Sequence, residues 1–398
     1  MANTLNLGNG NWATKKDSLL AYNNENNNFK PLPFDFTRAS NATVVNKAGL
    51  IETVGGGEPR IDFSNDAKGA LLLEPQRTNL IQTSASGAYG NPPASVTNTI
   101  SPDGTNNAVI PIPNSTSDRY QYEVTGGSYA TNTKLAYSWY RKRISTPIES
   151  VYIGDLRFNT LVNVTQLGST TQIESNINGF DRFEAIFNIT DGSVSSLIRP
   201  YFGQIIGVGN SSVAYFGHQL EQGSYSTSYI PTIGSAVTRV ADVCDSTGNG
   251  QVINSTEGVF YIEAASLAND GQYNTVSLKN SATSNYANTL NITYSSTTNQ
   301  ILAVYRVSTT SVVVLSKTLN NALDFNKIAF KYKSGEFALW VNGIEEDTDS
   351  NTTMLSSGIL DEVIFYRSDN SSKFKAKIKD LRIYNTSLTD AELQALTK

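Results

Sequence analysis

The chain has 398 residues and a net charge of −5, with 39 % hydrophobic but only 16 % charged residues; at about 150 residues per domain this is two or three domains. The acidic balance leaves no electrostatic footprint for nucleic acid, the lone Cys244 cannot close an intrachain disulfide, and no apolar run approaches the roughly 18 residues of a membrane span. The 29 Gly, 20 Tyr and 16 Phe among few charges favour strands and turns over helices, so the expected class is all-β.

The opening stretch differs from the rest. MANTLNLGNG has neither the basic nor the apolar region of a signal peptide, so no export signal is expected. Thr14 followed by Asp17 and Ser18-Leu19-Leu20-Ala21-Tyr22 predicts a short helix with Thr14 as N-cap. Pro31 and Pro33 keep the segment carrying Phe34 and Phe36 extended. These 70 residues hold too little apolar mass to fold alone. They are expected to pack on a neighbouring subunit, the downstream domain or a larger assembly.

From about Gly69 the rhythm is short strands and polar turns. Lys134–Arg143 puts Leu135, Tyr137 and Trp139 on one face, and Val151–Asn159, Phe180–Ile189 and Val213–Leu220 repeat that length. Such spacing predicts an antiparallel sandwich or jelly roll. The Gly-rich 245–250 stretch reads as part of an interdomain connection.

The last 140 or so residues carry the clearest pattern. Ile328, Phe330 and Tyr332 alternate with polar or small neighbours, Ser334-Gly335 turns, and Phe337, Leu339 and Val341 alternate again. Asn342-Gly343 is a strong two-residue hairpin signal. Phe374, Ala376 and Ile378 are followed by Leu381 and Ile383, a slip of one in phase that predicts a bulge. Thr389-x-x-Glu392 predicts a capping box opening a terminal helix.

Three stretches resemble known families. EFALWVNG (336–343) and FKAKIKDLRIYNTSLTDAELQAL (374–396) resemble the end of a concanavalin A-like, laminin G-like sandwich. The chain departs from that pattern at Ala376, where glycine is usual, and at Lys379-Asp380 in place of an acidic pair. YFGHQLEQGSYSTSYIPT (215–232) is similar to the closing strand of carbohydrate-binding-like jelly rolls in phage appendage proteins. TLNLGNGNWATKKDSLLAYN (4–23) and LPFDFTRASNATVVNKAGLIETV (32–54) resemble the N-terminal part of structural proteins of phages infecting Bacteroidetes, crAss-like phages included.

The resemblance implies a tailed-phage virion protein rather than an enzyme. Its parts are an extended or helical attachment segment (1–70), a jelly-roll β-sandwich (71–240), a linker (241–255) and a concanavalin A-like β-sandwich (256–398). A head fibre or appendage is the first expectation; a tail fibre, a receptor-binding protein or a purely structural decoration protein are the alternatives, with a polysaccharide depolymerase last. Such a protein would be made in the host bacterial cytoplasm and reside on the virion surface. Expected partners are capsid or tail proteins, further copies of itself (a trimer before a dimer) and host cell-surface glycans. Neither nucleic acid nor membrane insertion is expected.

Candidate chemistry is sparse. The acids at 345–349 lack a calcium-loop register and read as a solvated strand face, so no cofactor or metal is expected and nothing supports a structural calcium ion. His218 lies on a strand, without the exposed-turn serine a catalytic base would serve, and reads as structural. No catalytic residue is assigned. Sugar rings stack on aromatic side chains, which leaves Tyr273, Asn285, Tyr286, Trp340 and Asn342 as carbohydrate-binding candidates, and Leu7, Trp12, Leu19, Leu20 and Tyr22 as virion-attachment candidates.

Overall fold

A computed structural model describes residues 3–22, 31–85, 95–112, 120–121, 124–125, 129–144, 156–192, 197–202, 213–283, 285–369 and 371–398. Nearly all regular structure is β, and the pairings are antiparallel. The largest sheet has twelve strands among the described residues. Its order runs Val243–Asp245, Pro31–Thr37, Ser18–Tyr22, Leu5–Gly8, Ala376–Tyr384, Glu257–Ser266, Asn326–Lys333, Phe337–Val341 and Ile344–Asp349. Facing it is a five-stranded sheet of Thr310–Thr318, Gln300–Val307, Leu290–Tyr294, Asn274–Lys279 and Glu362–Ile364.

The core between these sheets explains their alternation. Ile328, Phe330, Tyr332, Phe337, Leu339 and Val341 all point into it, while Ala329, Ala338 and Trp340 point outward beneath the terminal helix Asp390–Thr397. The Asn342-Gly343 turn has φ of 50° and 86°, the doubly positive geometry of a two-residue hairpin. The phase slip in the last strand is a bulge: Glu263 pairs with Asp380 and Ala264 with Ile378, leaving Lys379 extra. The capping box is present, with Thr389 and Glu392 each accepting from the other's backbone N–H.

The chain's beginning is woven into this sandwich. Leu5–Gly8 pairs with Ala376–Tyr384 (Leu5 opposite Ile383, Leu7 opposite Leu381), and Ala70–Leu73 pairs with the other half of that strand (Leu73 opposite Ala376). Leu5, Leu7, Leu19, Phe34 and Phe36 are at most 1 % exposed, inside the C-terminal core. At roughly 1.5–3 kcal/mol per buried apolar side chain they contribute on the order of 10 kcal/mol, comparable to the whole stability of a typical domain. The described strands of this N-terminal stretch therefore pack on the downstream domain, one of the three partners expected for them.

The helix expected at 18–22 is corrected: Ser18–Tyr22 is a strand. It forms a hairpin with Ala13–Lys15 across Lys16-Asp17 and pairs on its other edge with Pro31–Thr37. Five residues are too few for a stable isolated helix, and a partner strand on each side overrides weak local propensity. Gly8 (φ 93°) ends the first strand where a Cβ would lie 2.3 Å from the Lys379 carbonyl oxygen.

The middle region forms a second sandwich. Six strands run Ser95–Thr99, Ala108–Ile112, Val213–Gln222, Lys134–Arg143, Phe180–Ile189 and Val164–Ile177. A smaller sheet joins Leu197–Phe202 to Tyr120–Gln121, Val124–Thr125 and Leu156–Val162. Leu135, Tyr137 and Trp139 share one core, as the alternation predicts, with Phe183, Phe187 and Tyr215. The opposite face carries Tyr140, Phe180 and Phe216 against Val45, Ile51 and Tyr229. Of the strand expected at 151–159, residues 151–155 lie outside the described residues. The Ser/Thr-rich Val164–Ile177 strand carries no alternation and was not expected.

Candidate functional site

The five glycan candidates separate. Trp340 is 6 % exposed and packs with Val259, Tyr261, Leu388 and Leu393 under the terminal helix; it is a packing residue and cannot stack on a sugar. Asn342 is exposed, but its side chain holds the hairpin together. Its Oδ1 accepts from the Lys327 N–H (2.9 Å) and its Nδ2 donates to Asn326 Oδ1 (2.9 Å). Alternation placed Trp340 on the outward face, and the helix that covers that face comes from nearly fifty residues further on.

Tyr273, Asn285 and Tyr286 do come together, over the outer side of the five-stranded sheet. The outward Thr275, Ser277, Asn291 and Thr293 alternate with core Val276, Leu278 and Ile292, yet they too are buried. Residues 366–369 and 371–372 run alongside: Ser277 Oγ donates to the Tyr366 carbonyl (2.9 Å), and the Thr275 N–H donates to that of Ser372 (3.3 Å). Ser368 Oγ in turn donates to the Asn285 carbonyl (2.8 Å). Sequence reasoning missed two arginines at this place. Arg306 and Arg367 lie over the Tyr286 ring, 4.3 and 4.7 Å from its centroid, a cation–π arrangement.

Burial raises the Tyr286 phenol above its ordinary pKa, and the two guanidiniums oppose the shift. Hydrogen bonds from Arg367 hold the Asp369 carboxyl well below the usual carboxylate range. Arg306 Nε donates to the Tyr286 carbonyl (3.2 Å), and its NH1 donates to Ser311 Oγ (2.6 Å). Tyr273, 46 % exposed, is the ring open to solvent here. The result is a surface with one exposed aromatic ring, an exposed Asn285 and two fixed cations beside a single carboxylate.

The attachment candidates separate too. Leu7 and Leu19 are core residues and unavailable for docking. Trp12 is partly buried, its Nε1 donating to the Lys68 carbonyl (2.7 Å), and Leu20 is half-buried. The Tyr22 side chain lies outside the described residues.

A buried ionic network ties residues 38–74 to 228–242. Arg60 NH1 meets Glu74 Oε2 at 2.7 Å, Arg239 NH1 meets the same oxygen at 2.5 Å, and Arg38 NH1 meets Asp242 Oδ1 at 2.9 Å. Arg60 also contacts Asp242 directly. Burial pushes the Glu74 carboxyl up, but Arg239 and Arg60 overcome it and hold the group well below the usual range. His218 is also buried, its Nδ1 3.1 Å from Tyr137 Oη, and burial pushes its pKa down to about 3. A neutral, enclosed imidazole fits the structural reading. Among the described residues no group of three or more His, Cys, Asp or Glu is arranged to hold a metal ion. The acids at 345–349 form an edge strand, where Glu346 pairs with Lys317 (2.6 Å) across to the other sheet.

Residues 244–394 match the family model of the concanavalin A-like lectin/glucanases superfamily. The C-terminal sandwich is a concanavalin A-like domain. Among solved structures, the Ruminococcus gnavus IT-sialidase CBM40 bound to alpha2,3 sialyllactose is 16 % identical, with a TM-score of 0.32 over 39 % of this chain and 94 % of that one. The leech intramolecular trans-sialidase complexed with 2,7-anhydro-Neu5Ac is 19 % identical, with a TM-score of 0.31 over 36 % of this chain and 23 % of that one. Domain 4 of AbnA, a GH43 extracellular arabinanase from Geobacillus stearothermophilus, is 14 % identical, with a TM-score of 0.31 over 44 % and 83 %. Likeness at this level carries no functional weight. No curated protein sequence matches the chain.

Proposed function

We propose that this is a structural protein of a tailed-phage virion, a head fibre or appendage, whose concanavalin A-like domain adheres to host-surface glycans by binding rather than catalysis. The observation that carries the adhesion reading is the Tyr273–Tyr286 surface on a domain of lectin-like fold. An exposed ring offers a stacking face, and the fixed polar groups around it (Asn285, Arg306, Arg367) supply orientation. The virion placement rests on the N-terminal resemblance. With Leu7 and Leu19 in the core and Trp12 packed against it, contact with capsid or tail proteins falls to the outer side of the N-terminal strands, where the half-buried Leu20 lies. Assembly as a trimer, or else a dimer, and residence on the virion surface belong to the same reading.

A purely structural decoration role is the second reading, and one observation favours it: the Tyr286 ring already carries two guanidinium neighbours. Binding of labelled full-length protein to intact host cells separates the two. Adhesion predicts saturable binding that is lost when surface glycan is oxidised with periodate, and that weakens about tenfold in Tyr273→Ala, the loss of one stacking contact. A folded protein that does not bind leaves decoration as the function.

A further inference from the structure

A cleft of about 630 Å³ opens between the two sandwiches, within the roughly 300–1,000 Å³ range of small-ligand sites. One wall is the Lys134–Arg143/Phe180–Ile189 face that carries Tyr140 and Glu184. The other is C-terminal, with Leu267, Asp270, Asp324 and Phe325. Several lining carboxylates are already engaged. Asp62 pairs with Lys377 (2.7 Å), and Glu174 accepts from Tyr140 Oη (2.9 Å) and faces Arg182 (3.5 Å). Glu184, Asp270 and Asp324 form no ion pair among the described residues; the backbone N–H of Ser226 donates to Glu184 (2.9 Å), and Ser224 Oγ donates to Asp270 (3.1 Å).

A further feature marks the cleft as more than a gap between domains. Phe325 and the half-exposed Leu323 give it an apolar patch, and Lys379 Nζ, 3.8 Å from the Phe325 centroid, holds that ring in place. Tyr225, only 8 % exposed, lines the cleft, and its hydroxyl has no hydrogen-bond partner among the described residues. That hydroxyl is itself closed off from solvent, so what the cleft meets of Tyr225 is the rest of the residue.

We propose that this cleft is a second saccharide site, separate from the Tyr273–Tyr286 surface, and that it takes an amino-bearing sugar residue. The apolar C–H face of such a ring suits Phe325 and Leu267, its hydroxyls suit Ser224, and its ammonium suits Asp270 and Asp324, which form no ion pair among the described residues, with Glu184 opposite them, a charge-assisted contact. Lys134, Arg182 and Lys377 also line the cleft, but six carboxylates (Asp62, Glu74, Glu174, Glu184, Asp270 and Asp324) outnumber them, so an acidic sugar meets a net like charge and is disfavoured.

Calorimetric titration of the full-length protein with three trisaccharides tests this: chitosan triose (cationic), cellotriose (neutral) and trigalacturonate (anionic). The expected result is saturable binding of chitosan triose, weaker binding of cellotriose and none of trigalacturonate. Glu184→Gln and, separately, the exposed-loop Asp324→Asn should each weaken chitosan triose about tenfold, one charge-assisted contact, in proteins with unchanged melting. Tyr273→Ala should leave it unchanged while still losing cell adhesion, so the two sites fail independently. Binding of all three sugars alike, or of none, overturns the proposal. Chitosan triose binding that Tyr273→Ala abolishes and both cleft variants retain also overturns it.

Discussion

The two sandwiches are assembled from the chain in opposite ways. The middle one takes its six-stranded sheet from one continuous stretch, 95–222, whereas the C-terminal one draws strands from residues 5–73 and from 243–384. In the first, neighbours in sequence supply most of the core. In the second, Leu5 faces Ile383 across almost the whole chain. The C-terminal sandwich therefore cannot complete until the last strand exists, although its first strands are made first; closure over such a separation is slow. The segment expected to serve attachment is a structural part of the C-terminal sandwich.

Breaking the long-range half should have the largest effect. Deletion of residues 1–37 removes Leu5, Leu7, Leu19, Phe34 and Phe36 from the core, on the order of 10 kcal/mol. The truncated protein, and likewise a 256–398 fragment, should lose the cooperative unfolding transition of the C-terminal sandwich in calorimetry. If either melts like the intact domain, the N-terminal strands are ornamental.

The joint between the halves comes next. Glu74→Ala strands Arg239 in a buried site and leaves Arg60 only Asp242, and should cost about 3–5 kcal/mol in denaturant unfolding. The same carboxyl sets an acid limit. Its folded pKa is depressed, so its contribution is complete above the unfolded value of about 4.3 and is lost as pH falls toward the lower folded value. Glu74→Gln should flatten the stability-against-pH curve below about pH 4, and an unchanged acid limb would remove Glu74 from that role. The smallest effect belongs to a local device: Thr389→Ala removes the cap of the terminal helix and should cost about 1 kcal/mol, leaving the middle sandwich untouched.

What the sequence made legible follows the same division. The Lys327–Val341 alternation, the Asn342-Gly343 turn, the bulge at Lys379 and the capping box are local patterns, and each can be read within about fifteen residues. Ser18–Tyr22 was misread because its strand identity comes from Leu5–Gly8 and Pro31–Thr37 on its flanks, not from its own residues. Trp340 was misassigned for the same reason: what covers its face is a helix folded back from 390–397. Tyr273, Asn285 and Tyr286 were found as polar-segment aromatics and their neighbour. Arg306 and Arg367, however, belong to their surface only because a strand and a distant segment converge there. The interdomain cleft has no sequence signature, since its walls come from many separate stretches between Thr43 and Lys377.

Hydrogen exchange of the intact protein, read at the amides of Leu5–Gly8, tests most directly whether the chain's two ends form one sheet. Integration predicts that these amides exchange as slowly as those of Ala376–Tyr384 and lose protection with them in one cooperative step as denaturant is added. Rapid exchange at 5–8 while 376–384 stays protected would contradict it, and would return the N-terminal residues to the role of a separate attachment segment.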